Sequence, residues 1–335
     1  MAVPAAMAAV AVALCAAFAL AALGGAEAQQ LSPAYYDDSC PHVYDTVRRV
    51  IQEARASDPR ILASLLRLHF HDCFVNGCDA SLLLDETPTM RSEKEANPNK
   101  GSARGFPVVD DIKAALENAC PGVVSCADVL ALAAEVSVEL AGGPYWRVML
   151  GRTDGMAANF DGAQNLPNPT EPLNDLKQKF ADLGLDDTDF VALQGAHTIG
   201  RAQCRFFQDR LYNFSDTERS DPTLDRSYLA ALRESCPAAV SDNTCLNNLD
   251  PTTPDTFDNR YYANILSNRG LLRSDQAMLS APEEGAVSTA PIVGRFANSQ
   301  AEFFQSFATA MVKMGNIAPM TGGLREVRRN CRVVN

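Results

Sequence analysis

Apolar residues recur with a helical period along most of this chain. Ile61, Leu62, Leu65, Leu66 and Leu68 repeat at roughly 3.6-residue spacing and predict an amphipathic helix. Asp58 suits its N-cap, and Pro59 its first position, where a missing N–H is harmless. The segment VVDDIKAALENA at 108–119 and the Ala-rich stretch 125–140 predict two more helices. Others are expected over 44–55, 173–183, 189–195, 258–267 and 301–314. Gly and Pro close several of them, as at Pro121-Gly122, Gly142-Gly143-Pro144, Gly184, Gly270 and Gly315. Residues 145–150 form a candidate short strand, and 155–172 reads as one long loop. A loop of that length in a compact domain is usually functional or disordered, and its place midway between two His-bearing segments favours a site role. The pattern predicts a mainly α fold, with no internal repeat.

Residues 1–23 break the pattern with an Ala/Val/Leu-rich run, followed by Gly24-Gly25 and the small-x-small triplet Ala26-Glu27-Ala28. This reads as a secretory signal peptide, 1–28, with the mature chain starting at Gln29 or Gln30. The alternative is a membrane anchor, but no polybasic flank follows. No later stretch is apolar for long enough to span a bilayer, so no membrane association is expected of the mature form. Residues 30–335 suffice for a single domain with a large core. The formal net charge of −12 argues against nucleic-acid partners and polyanionic matrices. Of ten Cys, Cys15 lies in the signal. In a secreted chain the other nine imply disulfides with one thiol left over. Asn213-Phe214-Ser215 is the sequon free of proline and marks Asn213 as a candidate glycosylation site.

Chemistry concentrates in Arg67-Leu68-His69-Phe70-His71-Asp72-Cys73. Arg67 and His71 are four residues apart, so a helix puts a fixed cation beside a titratable imidazole. Such a pair can move a proton while stabilising developing negative charge. His69 points to another face and reads as structural. A second segment, Ala192-Leu193-Gln194-Gly195-Ala196-His197-Thr198-Ile199-Gly200, surrounds an imidazole with small residues that let something flat and bulky approach. Either histidine alone would read more simply as a satisfied structural residue.

Together the two segments resemble the secretory plant haem peroxidases of class III. The likeness runs through RLHFHDCFVNGCDASLLLD at 67–85, NKGSARGFPVVD at 99–110, VSCADVLALAA at 124–134, GAHTIGRAQC at 195–204 and FANSQAEFFQSFATAMVKMGNI at 296–317. It implies the haem peroxidase fold, with distal and proximal helical lobes around haem b. It implies His197 as the axial iron ligand, with Asp275 accepting its Nδ1–H. His71 would be the distal proton acceptor and Arg67 the charge stabiliser. Asn99, backed by Glu93, would fix the imidazole's tautomer, and Phe70 would pack over the haem. Hydrogen peroxide and small phenolic donors are the implied partners, with Pro167 lining the donor site at the haem edge.

The resemblance further implies two calcium ions. One would use Asp72, Asp79 and Ser81 with the Val75 and Gly77 carbonyls. The other would use Thr198, Asp250, Thr253 and Asp258 with the Thr256 carbonyl. Four disulfides are implied: Cys40–Cys120, Cys73–Cys78, Cys126–Cys331 and Cys204–Cys236. Cys245 then has no partner in the family, and a monomer is expected unless Cys245 links two chains. Gln194 stands where Ser is usual and Thr153 where a second Arg is usual, neither at a catalytic position. The end at Arg332-Val333-Val334-Asn335 lacks an apolar extension, which points to the apoplast or cell wall. Two rival readings are a metallohydrolase using His69 and His71, and a wall-binding protein without turnover. The first suffers because residues i and i+2 of a helix cannot face one metal. The second is disfavoured by the pocket residues.

Overall fold

The computed structural model describes residues 31–238, 245–280, 287–319 and 324–335. The signal segment and the mature start lie outside the described residues. The chain is mainly α-helical. A first group comprises α1 (Val43–Ser57), α2 (Ile61–Asn76), α3 (Phe106–Ala119) and α4 (Cys126–Leu140). Short elements follow: β1 (Asp154–Gly155) and α5 (Phe160–Gln164). A second group begins with α6 (Leu173–Ala181), α7 (Asp187–Gln194), β2 (Arg201–Gln203), α8 (Gln208–Tyr212) and α9 (Arg226–Ser235). It continues through β3 (Leu246–Asn248), α10 (Arg260–Leu266), α11 (Arg273–Ala277), α12 (Ala290–Asn298) and α13 (Gln300–Gly315), and β4 (Arg325–Glu326) closes the chain. Helix α13 packs on α7 and also reaches α2, so one apolar core spans both groups. A smaller core of Phe207, Leu211, Leu224, Tyr228, Leu232, Leu271 and Leu272 lies apart from it.

Helix α2 departs from the expected amphipathic pattern. Its apolar residues are buried, and so are Ser64, His69, His71 and Asp72. A helix buried nearly all round must satisfy its polar groups internally. It begins at Ile61 instead of Pro59. The Asp58 carboxylate accepts the Arg60 N–H (3.1 Å), two residues before the N-cap Arg60, which itself has no side-chain cap. It ends at Gly77, whose φ is +80°; a Cβ added there would lie only 2.6 Å from the Ala318 oxygen, so no side chain fits. Helix α4 behaves as expected for its Ala-rich sequence. Ser125 caps it by accepting the Asp128 N–H (3.1 Å).

Two expectations are corrected. Residues 145–150 form no strand; Leu150 alone pairs, in an isolated bridge with Ser32. The expected loop 155–172 contains α5, capped by the Asn159 side-chain oxygen, which accepts the Gly162 N–H (2.8 Å).

The C-terminal segment is pinned to the start of α4. The Asp154 carboxylate accepts the N–H groups of Cys126 (3.1 Å), Ala127 (2.9 Å) and Arg328 (2.8 Å). Strands β1 and β4 pair antiparallel beside it. The Cys126–Cys331 disulfide closes a loop of 205 residues. Loops that long lose on the order of 5 kcal/mol of unfolded-state entropy when cross-linked. Three further disulfides join Cys40 to Cys120, Cys73 to Cys78 and Cys204 to Cys236.

Glu135 lies fully buried in α4, and neither carboxylate oxygen has a hydrogen-bond partner among the described residues. Burial pushes its pKa up to about 7, with the nearby Glu139 charge adding to the shift. Between the ordinary Glu value and pH 7 the folded chain therefore keeps a proton that the unfolded chain has released. Stability falls as pH rises through that window. Glu135→Gln should change little at pH 4 and stabilise the protein by about 3 kcal/mol at pH 8, measured by urea unfolding at both values.

Candidate active site

Helix α2 carries Arg67 and His71 one turn apart. The Arg67 Nε–H donates to His71 Nε2 (3.0 Å), and Arg67 Nη2 donates to the Pro98 carbonyl (2.8 Å) and Ser102 Oγ (3.1 Å). His71 Nδ1 lies 2.5 Å from Asn99 Oδ1, while Asn99 Nδ2 donates to the Glu93 carbonyl (2.8 Å). Because the amide nitrogen is committed to that carbonyl, Asn99 offers its oxygen to the imidazole. Nδ1 therefore holds the proton, and Nε2 keeps its lone pair toward Arg67. Burial and then the Arg67 charge hold the His71 pKa well below the ordinary imidazole value. Arg67, lowered to about 10 by burial, remains a cation at neutral pH.

Glu93 backs Asn99 through its backbone carbonyl, while its carboxylate accepts the Asn159 N–H (2.9 Å). Phe70 packs edge-on to His71 (5.7 Å) and against Phe74 and Phe180. Phe180 reaches Phe190 of α7 (5.0 Å), so an aromatic row links α2 to the His197 side. His69 is buried on another face of α2, its pKa lowered to about 3 by burial and the Arg152 charge. His69, Cys73 and Cys78 lie close together, but the Cys73–Cys78 bond leaves no thiolate to hold a metal.

His197 sits in a single helical turn, Gly195–Thr198, directly after α7. Its Nδ1 lies 2.8 Å from Asp275 Oδ1. The same oxygen accepts the Tyr261 hydroxyl (2.9 Å), and Asp275 Oδ2 accepts the Leu272 N–H (2.8 Å). With Asp275 fully buried, its lone pairs are committed to these donors. His197 Nδ1 thus donates, and Nε2 remains the nitrogen available to a ligand.

Two oxygen clusters flank the histidines. Asp72 Oδ2 accepts the Ala80 N–H (3.0 Å), and Asp79 Oδ1 the Ser81 N–H (3.0 Å). Asp72 Oδ1 and Ser81 Oγ are buried with no partner among the described residues. Burial and the Asp79 charge push the Asp72 pKa up. An unpaired oxygen set of this kind fits a hard cation. Val75 and Gly77 lie on the same turn, at the end of α2. The second cluster converges on Thr198 Oγ1, which lies 3.5 Å from Asp250 Oδ2, 3.5 Å from the Thr256 carbonyl and 3.4 Å from Asp258 Oδ1. Thr253 Oγ1 lies 3.1 Å from Asp258 Oδ1 and 3.5 Å from Asp250 Oδ2. These separations exceed the usual hydroxyl hydrogen bond of about 2.8 Å, as oxygens arranged around a common centre would.

Pro167 is partly exposed two residues before Pro169, whose carbonyl accepts the Ser274 N–H (3.0 Å) and ties that loop to α11. Asn213 is exposed in the turn after α8. Cys245 is a free, half-buried thiol. Its carbonyl accepts the Cys204 N–H (3.3 Å). Periodicity missed Ser102, Pro98 and Tyr261. Nothing in the helical pattern singles out Tyr261, and a backbone carbonyl such as that of Pro98 leaves no mark in side-chain chemistry.

Comparison with known proteins agrees with this geometry. A family model described as Peroxidase matches residues 45–299. Peroxidase 54 of Arabidopsis thaliana is 54% identical over 94% of this chain and 87% of its own length. Peroxidase 15 of Ipomoea batatas is 56% identical over 91% and 93%. Peroxidase 37 of Arabidopsis thaliana is 54% identical over 91% and 88%. The chain belongs to the peroxidase family, and within it to the plant class III peroxidases. It is an oxidoreductase that acts on hydrogen peroxide. Membership implies haem, typically calcium, and reducing donors as co-substrates. The metallohydrolase and the wall-binding protein without turnover are thereby set aside.

The low His71 pKa sets a pH signature. Peroxide cleavage should stay level through the mildly acid range and fall only well below pH 6.5, the ordinary imidazole value. Asn99→Val should release the tautomer and slow peroxide cleavage by about 10–100-fold. Stopped-flow rates against pH check both.

Proposed function

We propose that this protein is a secreted class III peroxidase that uses hydrogen peroxide to oxidise small phenolic donors by single-electron steps. The observation that carries the reading is the hydrogen-bonded chain Arg67–His71–Asn99–Glu93 carbonyl, which leaves a neutral imidazole with its lone pair beside a fixed cation. A second imidazole, His197, has its other nitrogen committed to Asp275. That donor set suits haem b, which His197 would hold through Nε2 with Phe70 beside it. The haem, when bound, supplies peroxide activation and one-electron oxidation.

The protein's own part is proton handling. His71 Nε2 would take a proton from one oxygen of hydrogen peroxide and return it to the other as that oxygen departs. The Arg67 guanidinium donates to that oxygen as its negative charge grows. Asn99 holds the ring so that the base never presents the wrong nitrogen. Asp275 keeps His197 electron-rich through its Nδ1–H. Phenols dock at an exposed edge near Pro167 and leave as radicals. The products fit wall cross-linking, lignification and peroxide removal in the apoplast, with a glycan at Asn213 on a monomer. Among the described residues, no helix is long and apolar enough to cross a membrane.

Asp72, Asp79 and Ser81, with the Val75 and Gly77 carbonyls, would hold one calcium ion. Thr198, Asp250, Thr253 and Asp258, with the Thr256 carbonyl, would hold the other. Asp72 adjoins His71 and Thr198 adjoins His197, so each ion braces one side of the site.

The deciding experiment is an absorption spectrum of the secreted protein, recorded before and after stoichiometric peroxide and again after guaiacol. A Soret band that shifts with peroxide and returns with the phenol supports the whole reading; a protein with no Soret band after refolding with hemin and calcium refutes it. In the same assay His71→Ala should retain the band and respond to peroxide about 100–10,000-fold more slowly. Strong calcium chelators should lower both activity and the thermal midpoint. Indifference of both to chelation would remove the two ion sites.

A further inference from the structure

We propose that Arg210, on α8 and outside the site described above, is a positioning residue for the Asp275–His197 pair. The inference rests on the reading of His197 as the iron ligand. Arg210 is fully buried. Its Nε donates to Asp221 Oδ2 (2.8 Å), and its Nη1 lies 2.5 Å, 2.8 Å and 3.0 Å from the carbonyls of Gly270, Leu271 and Leu272. Successive carbonyls of an extended strand point to alternate sides. Three that converge on one nitrogen mean that the backbone curls around the cation at 270–272.

That curl is the approach to α11, and it orients the carboxylate. The Leu272 N–H donates to Asp275 Oδ2 (2.8 Å), the one partner of that oxygen among the described residues. Asp275 Oδ1 is then aimed at His197 Nδ1 and the Tyr261 hydroxyl. Gln276 adds a further tie, its Oε1 accepting the Gly270 N–H (3.2 Å). The counter-ion is itself rigid, because Asp221 Oδ1 accepts both the N–H (2.8 Å) and the hydroxyl (2.7 Å) of Thr223. A chain of short contacts thus runs from a buried salt bridge, through three peptide groups, to the carboxylate that polarises the proximal imidazole.

A different view makes Arg210 a mere filler of the small second core around Leu211, Tyr228 and Leu232. The two views differ in what they predict for the histidine. If Arg210 positions Asp275, loosening it weakens the His197 Nδ1–H bond. The imidazole then becomes a poorer electron donor, and the reduction potential of the iron rises. If Arg210 only fills space, stability falls and the histidine does not change.

The test uses the haem-loaded, full-length mature protein. Two readouts are taken: the iron–histidine stretching frequency of the ferrous form and the ferric/ferrous reduction potential. Arg210→Lys keeps the charge but not the fork, and Asp221→Asn keeps the guanidinium but releases its anchor; either folded variant is read alone. Leu232→Ala, in the same small core, controls for general loosening. The expected result is a lower stretching frequency and a higher potential in the Arg210 and Asp221 variants. Leu232→Ala should lower only the thermal midpoint. Unchanged values in both polar variants, or equal shifts in Leu232→Ala, overturn the proposal. A wild-type protein without an iron–histidine band overturns the His197 assignment, and this inference with it.

Discussion

Each imidazole of the site is held by its Nδ1, and the rest of the architecture follows from that constraint. A histidine with both nitrogens free can present either, and its ring can turn. Asn99 fixes His71 and Asp275 fixes His197, but with unequal acceptors. A neutral amide oxygen leaves His71 an ordinary base, whose pKa burial then lowers. A buried carboxylate draws on the His197 Nδ1–H more strongly than a neutral amide oxygen would. One residue type is therefore set in two unlike environments, and the difference lies in the group behind each ring.

Holding those rings requires polar groups deep in the protein, which is costly unless each has a partner. Helix α2 carries most of that burden, because its polar side chains face inward instead of toward water. Asn99 is locked by a backbone carbonyl, and Asp154 gathers three N–H groups at the start of α4. The oxygens left over, Asp72 Oδ1 and Ser81 Oγ, sit where a cation fits. Such orphaned polar atoms are a cost that a bound cation would offset.

The long helices were legible because their apolar spacing and their caps agree, as at Ser125 and α4. Short elements were not: α5 and the two-residue strands have too few positions to set a period, and 145–150 alternates without a partner strand. At the site, the Arg67–His71 pair could be read from helical geometry alone. Asn99 and Asp275 lie 28 and 78 positions from their histidines, and only resemblance to a family placed them beforehand. Glu93 acts on Asn99 through its backbone, which a side-chain argument cannot foresee. Nothing in the local sequence singles out Tyr261 or Arg210. Their roles exist only once distant segments meet.

The strap formed by residues 324–335 makes the core of the first helices a non-local construction. Arg328 is fully buried and donates through Nη2 to the Ala80 carbonyl, just past the end of α2, while Cys331 reaches back to Cys126. The interior beneath the first four helices is therefore completed by a segment that lies 205 positions beyond Cys126, a long-range contact of the kind that slows folding. A bond from Cys126 to any cysteine between the two would keep Cys331 from its partner, and thiol–disulfide exchange would be needed to undo it.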